Sequence, residues 1–79
     1  MNRVDSRILD FFDRQVSSLI MQKYGFNDRE ALRSFIESET YKMLFDSETD
    51  LYTFSPLVIF DMWESEKITG SPRNSQYVR

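Results

Sequence analysis

The stretch SRILDFFDRQVSSLIMQKY, residues 6 to 24, decides the fold class of this chain. Its large apolar residues Ile8, Leu9, Phe12, Val16, Leu19, Ile20 and Tyr24 recur at steps of three or four. That spacing gathers them along one face of a helix, because an α-helix turns once every 3.6 residues or so. Asp5 or Ser6 is placed to accept hydrogen bonds from the first free amides, and Gly25 can take the left-handed conformation that closes a helix. Phe11 and Met21 sit beside the stripe and widen it, so this helix is expected to touch more than one neighbour.

Working outward, Asn27-Asp28-Arg29-Glu30 reads as an N-cap followed by a box-forming Glu at the third helical position. A second helix is expected from 28 to 37, with Ala31, Leu32, Phe35 and Ile36 on its buried side. Its stripe fades at Glu37-Ser38-Glu39. Ser38 or Thr40 can then restart a helix from 39 to 46 through Tyr41, Met43, Leu44 and Phe45, or the two pieces can form one bent helix.

Asp46-Ser47-Glu48-Thr49-Asp50 has no apolar anchor and reads as a reversal of the chain, after which Leu51, Tyr52 and Phe54 return toward the core in an extended or irregular segment. Ser55-Pro56 opens the last helix, expected from 56 to 66: Ser is a cap, and Pro fits the first turn, where its missing N–H would have no partner. Leu57, Val58, Ile59, Phe60, Met62 and Trp63 make that helix apolar around most of its circumference, so it is expected to lie centrally or to be covered by a partner.

The expectation is therefore an all-α protein, a compact bundle of about four helices over residues 1 to 67, with an extended, flexible basic tail from 68 to 79. The expected core is Leu9, Phe12, Val16, Leu19, Leu32, Phe35, Leu44, Leu51, Phe60 and Trp63. At 79 residues the chain has room for one core and no second domain. Self-association or stable complex formation is expected as well, with a homodimer the simplest arrangement, because a domain of this size must still hide twelve aromatic side chains.

Composition narrows the chemistry. The chain has no Cys and no His, which removes disulfides, thiolate nucleophiles, imidazole bases and the ordinary zinc, haem and iron–sulfur ligand sets. The alternating acids of residues 46 to 50 begin like an EF-hand loop. Leu51 then stands where such a loop needs Gly, and Leu57 where it needs a bidentate Glu. Asp10 with Asp13, and Asp61 with Glu64, are helical carboxylate pairs of a kind that is usually solvated. No glycine-rich phosphate loop is possible with only Gly25 and Gly70. No catalytic residue, cofactor or metal is expected, and the chain is read as non-enzymatic.

Charge is uneven. Residues 1 to 27 sum to +1, residues 28 to 66 to −7 and residues 67 to 79 to +3, within a total of −3. The acidic middle repels phosphate backbones, so binding to nucleic acid by this chain alone is not expected. The first residues have neither the apolar core of a signal peptide nor the composition of a transit peptide, and no membrane span is expected, which makes a cytoplasmic address the default. Trp63 in the last helix, with Arg73, Tyr77 and Arg79 in the tail, are the candidate partner-binding residues, since Trp, Tyr and Arg are common interface anchors.

The stretch Ser38-Glu39-Thr40-Tyr41-Lys42-Met43-Leu44-Phe45-Asp46-Ser47-Glu48-Thr49-Asp50-Leu51-Tyr52, followed by Ser55-Pro56-Leu57-Val58-Ile59-Phe60-Asp61-Met62, resembles small bacterial proteins encoded beside toxin-like genes. The matching elements are Ser38, Thr40-Tyr41, Leu44, Asp46, Thr49, Leu51-Tyr52, Ser55-Pro56 and Asp61. The resemblance implies a compact helical fold and an antitoxin or accessory role, and it carries over no catalytic residue. The leading expectation is thus an interaction module that binds and neutralises a protein partner, such as a toxin. Two other classes stand beside it: a DNA-associated regulator using a dimer and its basic arms, and a phage- or plasmid-type inhibitor whose acidic surface mimics nucleic acid.

Overall fold

The computed structural model describes residues 3 to 70. Four α-helices and two 3₁₀ turns follow in order: α1 (Ser6–Tyr24), α2 (Asp28–Ile36), α3 (Glu39–Phe45), the turns Ser47–Thr49 and Leu51–Thr53, and α4 (Pro56–Thr69). The all-α bundle expected from the periodicity is the fold, and no strand occurs among the described residues.

Each helix begins and ends where its capping chemistry dictates. The Asp5 carboxylate accepts from the Arg7 amide at 2.8 Å to start α1. Gly25, at φ +73°, ends it by donating its N–H to the Met21 carbonyl. Asn27 and Glu30 form a reciprocal capping box for α2, each side chain accepting from the other's amide, at 2.8 and 3.1 Å.

Ser38 settles the open question between α2 and α3. It is extended (φ −84°, ψ 159°) and 2% exposed. Its Oγ accepts from the Tyr41 amide at 3.1 Å and donates to the Phe35 carbonyl at 2.5 Å. One hydroxyl thus serves the last turn of one helix and the first of the next, and α2 and α3 are separate helices.

The core comprises Val4, Leu9, Phe12, Val16, Ile20, Ala31, Phe35, Leu44, Leu51, Ile59, Phe60, Met62 and Trp63. Two expected core residues are misplaced by the sequence reading. Leu32 is 39% exposed, because α2 lays Ala31 and Phe35 against the bundle and turns Leu32 and Ile36 outward. Ala31 and Phe35, both fully buried, mark the face of α2 that meets the bundle. Leu19 is half-buried, packed on the edge of the core, with Ile20 taking the central position.

Val4 joins the core although it precedes the first helix. Its amide donates to the Phe45 carbonyl at 2.9 Å, and Arg3 pairs with Asp46 in an isolated antiparallel bridge. The segment from Leu51, expected to be extended or irregular and to return to the core, is a short 3₁₀ turn that tucks Leu51 into the core. At Ser55, no side-chain hydrogen bond caps α4; its carbonyl accepts from Val58 and Ile59, and Pro56 supplies the first helical position.

Helix α4 packs against both α1 and α3. This explains its apolar perimeter: Ile59, Phe60, Met62 and Trp63 are buried between two neighbours, while Leu57 near one end and Ile68 near the other remain exposed. The helix also outruns its expected end at 66. It continues through Ile68 and Thr69 until Gly70, at φ +85°, donates its N–H to the Glu66 carbonyl at 2.8 Å. The first residues of the expected tail are therefore helical, because the stop is the glycine and not the change in composition. The remainder of that tail, 71–79, lies outside the described residues. No helix among the described residues is long and apolar enough to cross a membrane.

Candidate protein-interaction surface

Trp63 is the centre of an aromatic corner built from three elements. The end of α1 contributes Lys23 and Tyr24, the α1–α2 connection Phe26, and α4 Phe60, Trp63, Glu64, Lys67 and Ile68. Phe60 stacks on Trp63 at 6.1 Å between ring centroids with planes 13° apart, and Tyr24 meets Trp63 edge-on at 5.8 Å. Phe26 leans on Tyr24 at 6.3 Å. The Trp63 indole N–H donates to the Ser34 carbonyl at 3.2 Å. Trp63 is thus only 3% exposed with its one polar group already satisfied, so it is a core residue first. Trp63 takes the core position expected of it, and the neighbours its ring gathers line the surface.

Those neighbours form a groove of about 410 Å³, with Trp63 and Ser34 at its base and Tyr24, Phe26, Lys67 and Ile68 around it. Tyr24, Phe26 and Ile68 all remain substantially exposed. Lys67 holds its ammonium 5.6 Å from the Trp63 ring centroid, a cation–π contact on the groove wall.

Glu64 fixes the walls. Its carboxylate takes the Lys23 ammonium at 2.6 Å and accepts the Tyr24 hydroxyl, with little side-chain exposure of its own. Burial alone would raise the Glu64 pKa, but the hydrogen bonds from Lys23 and Tyr24 outweigh it and hold the carboxyl below its ordinary value. The same hydrogen bond is the main reason the Tyr24 phenol is raised, and Lys23 is raised as well, first by its bond to Glu64. Lys23 also lies 5.8 Å from the centroids of Tyr24 and Phe60. These residues come from positions 40 apart in the chain, so no sequence motif announces them.

A second apolar groove, of about 550 Å³, lies over the start of α1. Ile8, Phe11 and Phe12 form one side, Tyr52 and Phe54 the other, and Asp5 and Arg7 its rim. A third, of about 350 Å³, is lined by Asp10, Asp13, Arg14 and Leu32. There the Asp13 carboxyl is pushed up, by burial first and by the charge of Asp10 second, while the Tyr41 hydroxyl works the other way as a hydrogen-bond partner. The Asp13 Oδ1 atom is buried with no hydrogen bond.

Of the other carboxylates of the acidic middle, Asp28, Glu30, Glu37, Glu39, Glu48 and Asp50 stay exposed, and several hold local structure. Glu66 accepts from the amides of Glu39 and Thr40, both at 2.9 Å, and from the Thr40 hydroxyl at 2.8 Å. Glu30 serves the capping box, and Asp46 accepts from the Glu48 amide at 3.0 Å in the turn that begins like a calcium loop. Asp50 takes φ +58° in that turn. Arg33 pairs with Glu37, and Lys42 with Glu39. Of the other candidate partner-binding residues, Arg73, Tyr77 and Arg79 lie outside the described residues.

No family model, curated protein or solved structure matches this chain.

Proposed function

We propose that this chain is a protein-binding module whose partner seats a large apolar side chain in the Tyr24–Phe26–Trp63 groove, and that it acts in the manner of an antitoxin by occupying and blocking that partner. One observation carries the reading: three apolar residues stay exposed around a floor in which the Trp63 indole N–H is already bonded to the Ser34 carbonyl. A rigid aromatic pocket of this kind is where binding energy concentrates in protein interfaces, because it gains buried area without ordering a flexible wall.

Lys67 states the chemistry of the partner. It is the charged residue in the groove lining, so an acidic side chain beside the apolar anchor completes the fit. The resemblance of residues 38 to 62 to small proteins encoded beside toxin-like genes supports a toxin as that partner.

The test is direct binding, by calorimetry, between this chain and the product of the gene beside its own, together with growth measurements on co-expression. A complex, with relief of any growth arrest, is expected. Phe26→Ala and Lys67→Glu should each weaken the complex by about tenfold or more while leaving helicity intact. No complex with that product, or affinity indifferent to both substitutions, refutes the proposal.

A further inference from the structure

Tyr24, Phe26 and Trp63 are the ingredients of an aromatic cage, which ordinarily receives quaternary ammonium groups because ring faces carry partial negative charge. Here cations of the chain itself already serve those rings. Lys67 holds its ammonium 5.6 Å from the Trp63 centroid, and Lys23 stands 5.8 Å from that of Tyr24. A cationic ligand entering the groove meets a like charge at two of its three rings.

The nearby acids of α4 do not offset that charge. Glu64, behind the wall, is taken by the Lys23 ammonium and the Tyr24 hydroxyl. Glu66 is turned to the amides of Glu39 and Thr40 and to the Thr40 hydroxyl. Among the described residues no carboxylate lines the groove, and Lys67 is the charged side chain in its lining. Lys67 is exposed, so its ammonium can swing onto a ligand without disturbing the core.

Size and polarity narrow the ligand further. A volume of about 410 Å³ lies within the range of roughly 300 to 1,000 Å³ typical of small-molecule sites. Tyr24, Phe26 and Ile68 offer it apolar surface, while the indole N–H of the floor is spent on the Ser34 carbonyl. We infer that this groove is a binding site for small aromatic carboxylates, with the ring among Tyr24, Phe26 and Ile68 and the carboxylate on the Lys67 ammonium. Such a ligand unites in one molecule the apolar anchor and the acid that a protein partner presents as side chains, so occupancy by either excludes the other. The inference needs no partner, and the chain by itself tests it.

Trp63 is the single tryptophan, so its emission reports on the groove floor alone. Phenylpropanoate, phenylpropanol and phenylpropylamine share a ring and a chain and differ in charge. Titrated into the full chain at fixed ionic strength, the carboxylate should change Trp63 emission saturably, with a dissociation constant of about 1 mM for a ligand of this size. The alcohol should bind about tenfold more weakly, and the amine more weakly still. Lys67→Met keeps the apolar stem and removes the charge, so the carboxylate should fall to the level of the alcohol, itself unchanged. Phe26→Ala should weaken carboxylate and alcohol alike. Both substituted positions are exposed, and circular dichroism should show wild-type helicity.

The order of the three probes on the wild-type chain needs no variant. No saturable change with the carboxylate up to about 20 mM overturns the inference. So does an amine that binds as well as the carboxylate, or a preference for the carboxylate that survives Lys67→Met in a folded chain. Carboxylate binding without any protein complex removes only the protein-binding reading; a complex without carboxylate binding removes only this one.

Discussion

Truncating Glu66 to alanine removes the N-terminal anchor of α3 from a distance of 26 positions. The wild-type carboxylate accepts three hydrogen bonds, from the amides of Glu39 and Thr40 and from the Thr40 hydroxyl, each 2.8 to 2.9 Å long. Glu39 is exposed, so its amide can turn to water. Thr40 is fully buried, so its amide and hydroxyl are left without partners. An unsatisfied buried donor costs about 1 to 3 kcal/mol, and some water will follow the truncated side chain into this partly open site. Together these set the expected loss for Glu66→Ala at about 2 to 3 kcal/mol. A domain of this length has only about 4 to 12 kcal/mol to lose. Urea unfolding followed by circular dichroism measures the loss, and the melting temperature should fall by about 10 to 20 °C. Glu66→Gln keeps one accepting oxygen but points an amide at a second donor, so about half of the loss should remain. Thr40→Val removes one of the three bonds, so the double variant should cost less than the sum of the singles by about 1 kcal/mol. The acid limb adds a separate check. Burial would raise the Glu66 pKa, but the three hydrogen bonds and the charge of Lys67 outweigh it and depress the carboxyl. A depressed carboxylate contributes stability above its unfolded pKa and loses it as pH falls through the folded value. Glu66→Ala should therefore flatten the fall in stability toward low pH. A loss under about 0.5 kcal/mol, or strict additivity with Thr40→Val, would show that α3 does not depend on this anchor.

Asp13→Asn should have the opposite sign. The Asp13 carboxyl is raised by burial and by Asp10, so the folded chain holds this proton more tightly than the unfolded one. Its contribution is greatest below the unfolded pKa and is lost as pH rises from that value to the raised one. The Asn variant should accordingly gain roughly 0.5 kcal/mol at pH 7 and nothing at pH 3, by urea unfolding at both; a loss at pH 7 would contradict the burial of Oδ1. Phe35→Ala empties a site with no exposure, where the ring meets Tyr41 edge-on at 5.1 Å, and should cost about 3 to 5 kcal/mol, enough to leave much of the chain unfolded at 37 °C. A cooperative melt near the wild-type temperature would show that α2 does not depend on this ring.

Most of the helical architecture was legible in the chain because its determinants are local. The apolar steps of α1, the Gly25 stop, the Asn27–Glu30 box and the Ser55-Pro56 start each act within a few residues, where covalent geometry already limits the choices. Where the reading went wrong, the deciding partner was far away in sequence. Leu32 lies on the apolar stripe of α2, yet Ala31 and Phe35 are the residues that meet the bundle, a choice made by packing against the other helices. Val4 has no periodic neighbours; it is buried where its amide bonds to the distant Phe45 carbonyl. Most acids of the middle segment stay exposed, as a solvated face would have them, but Glu64 and Glu66 are folded onto Lys23, Tyr24 and the start of α3, which no local pattern announces. Trp63 was legible as a core residue, but the groove beside it was not, since its lining comes from separate elements of the chain. Periodicity reports how often a side chain returns to one side of its own helix. Which neighbour stands on that side, and which of its polar groups needs a charge, is set only when helices distant in the chain pack and exclude water between them.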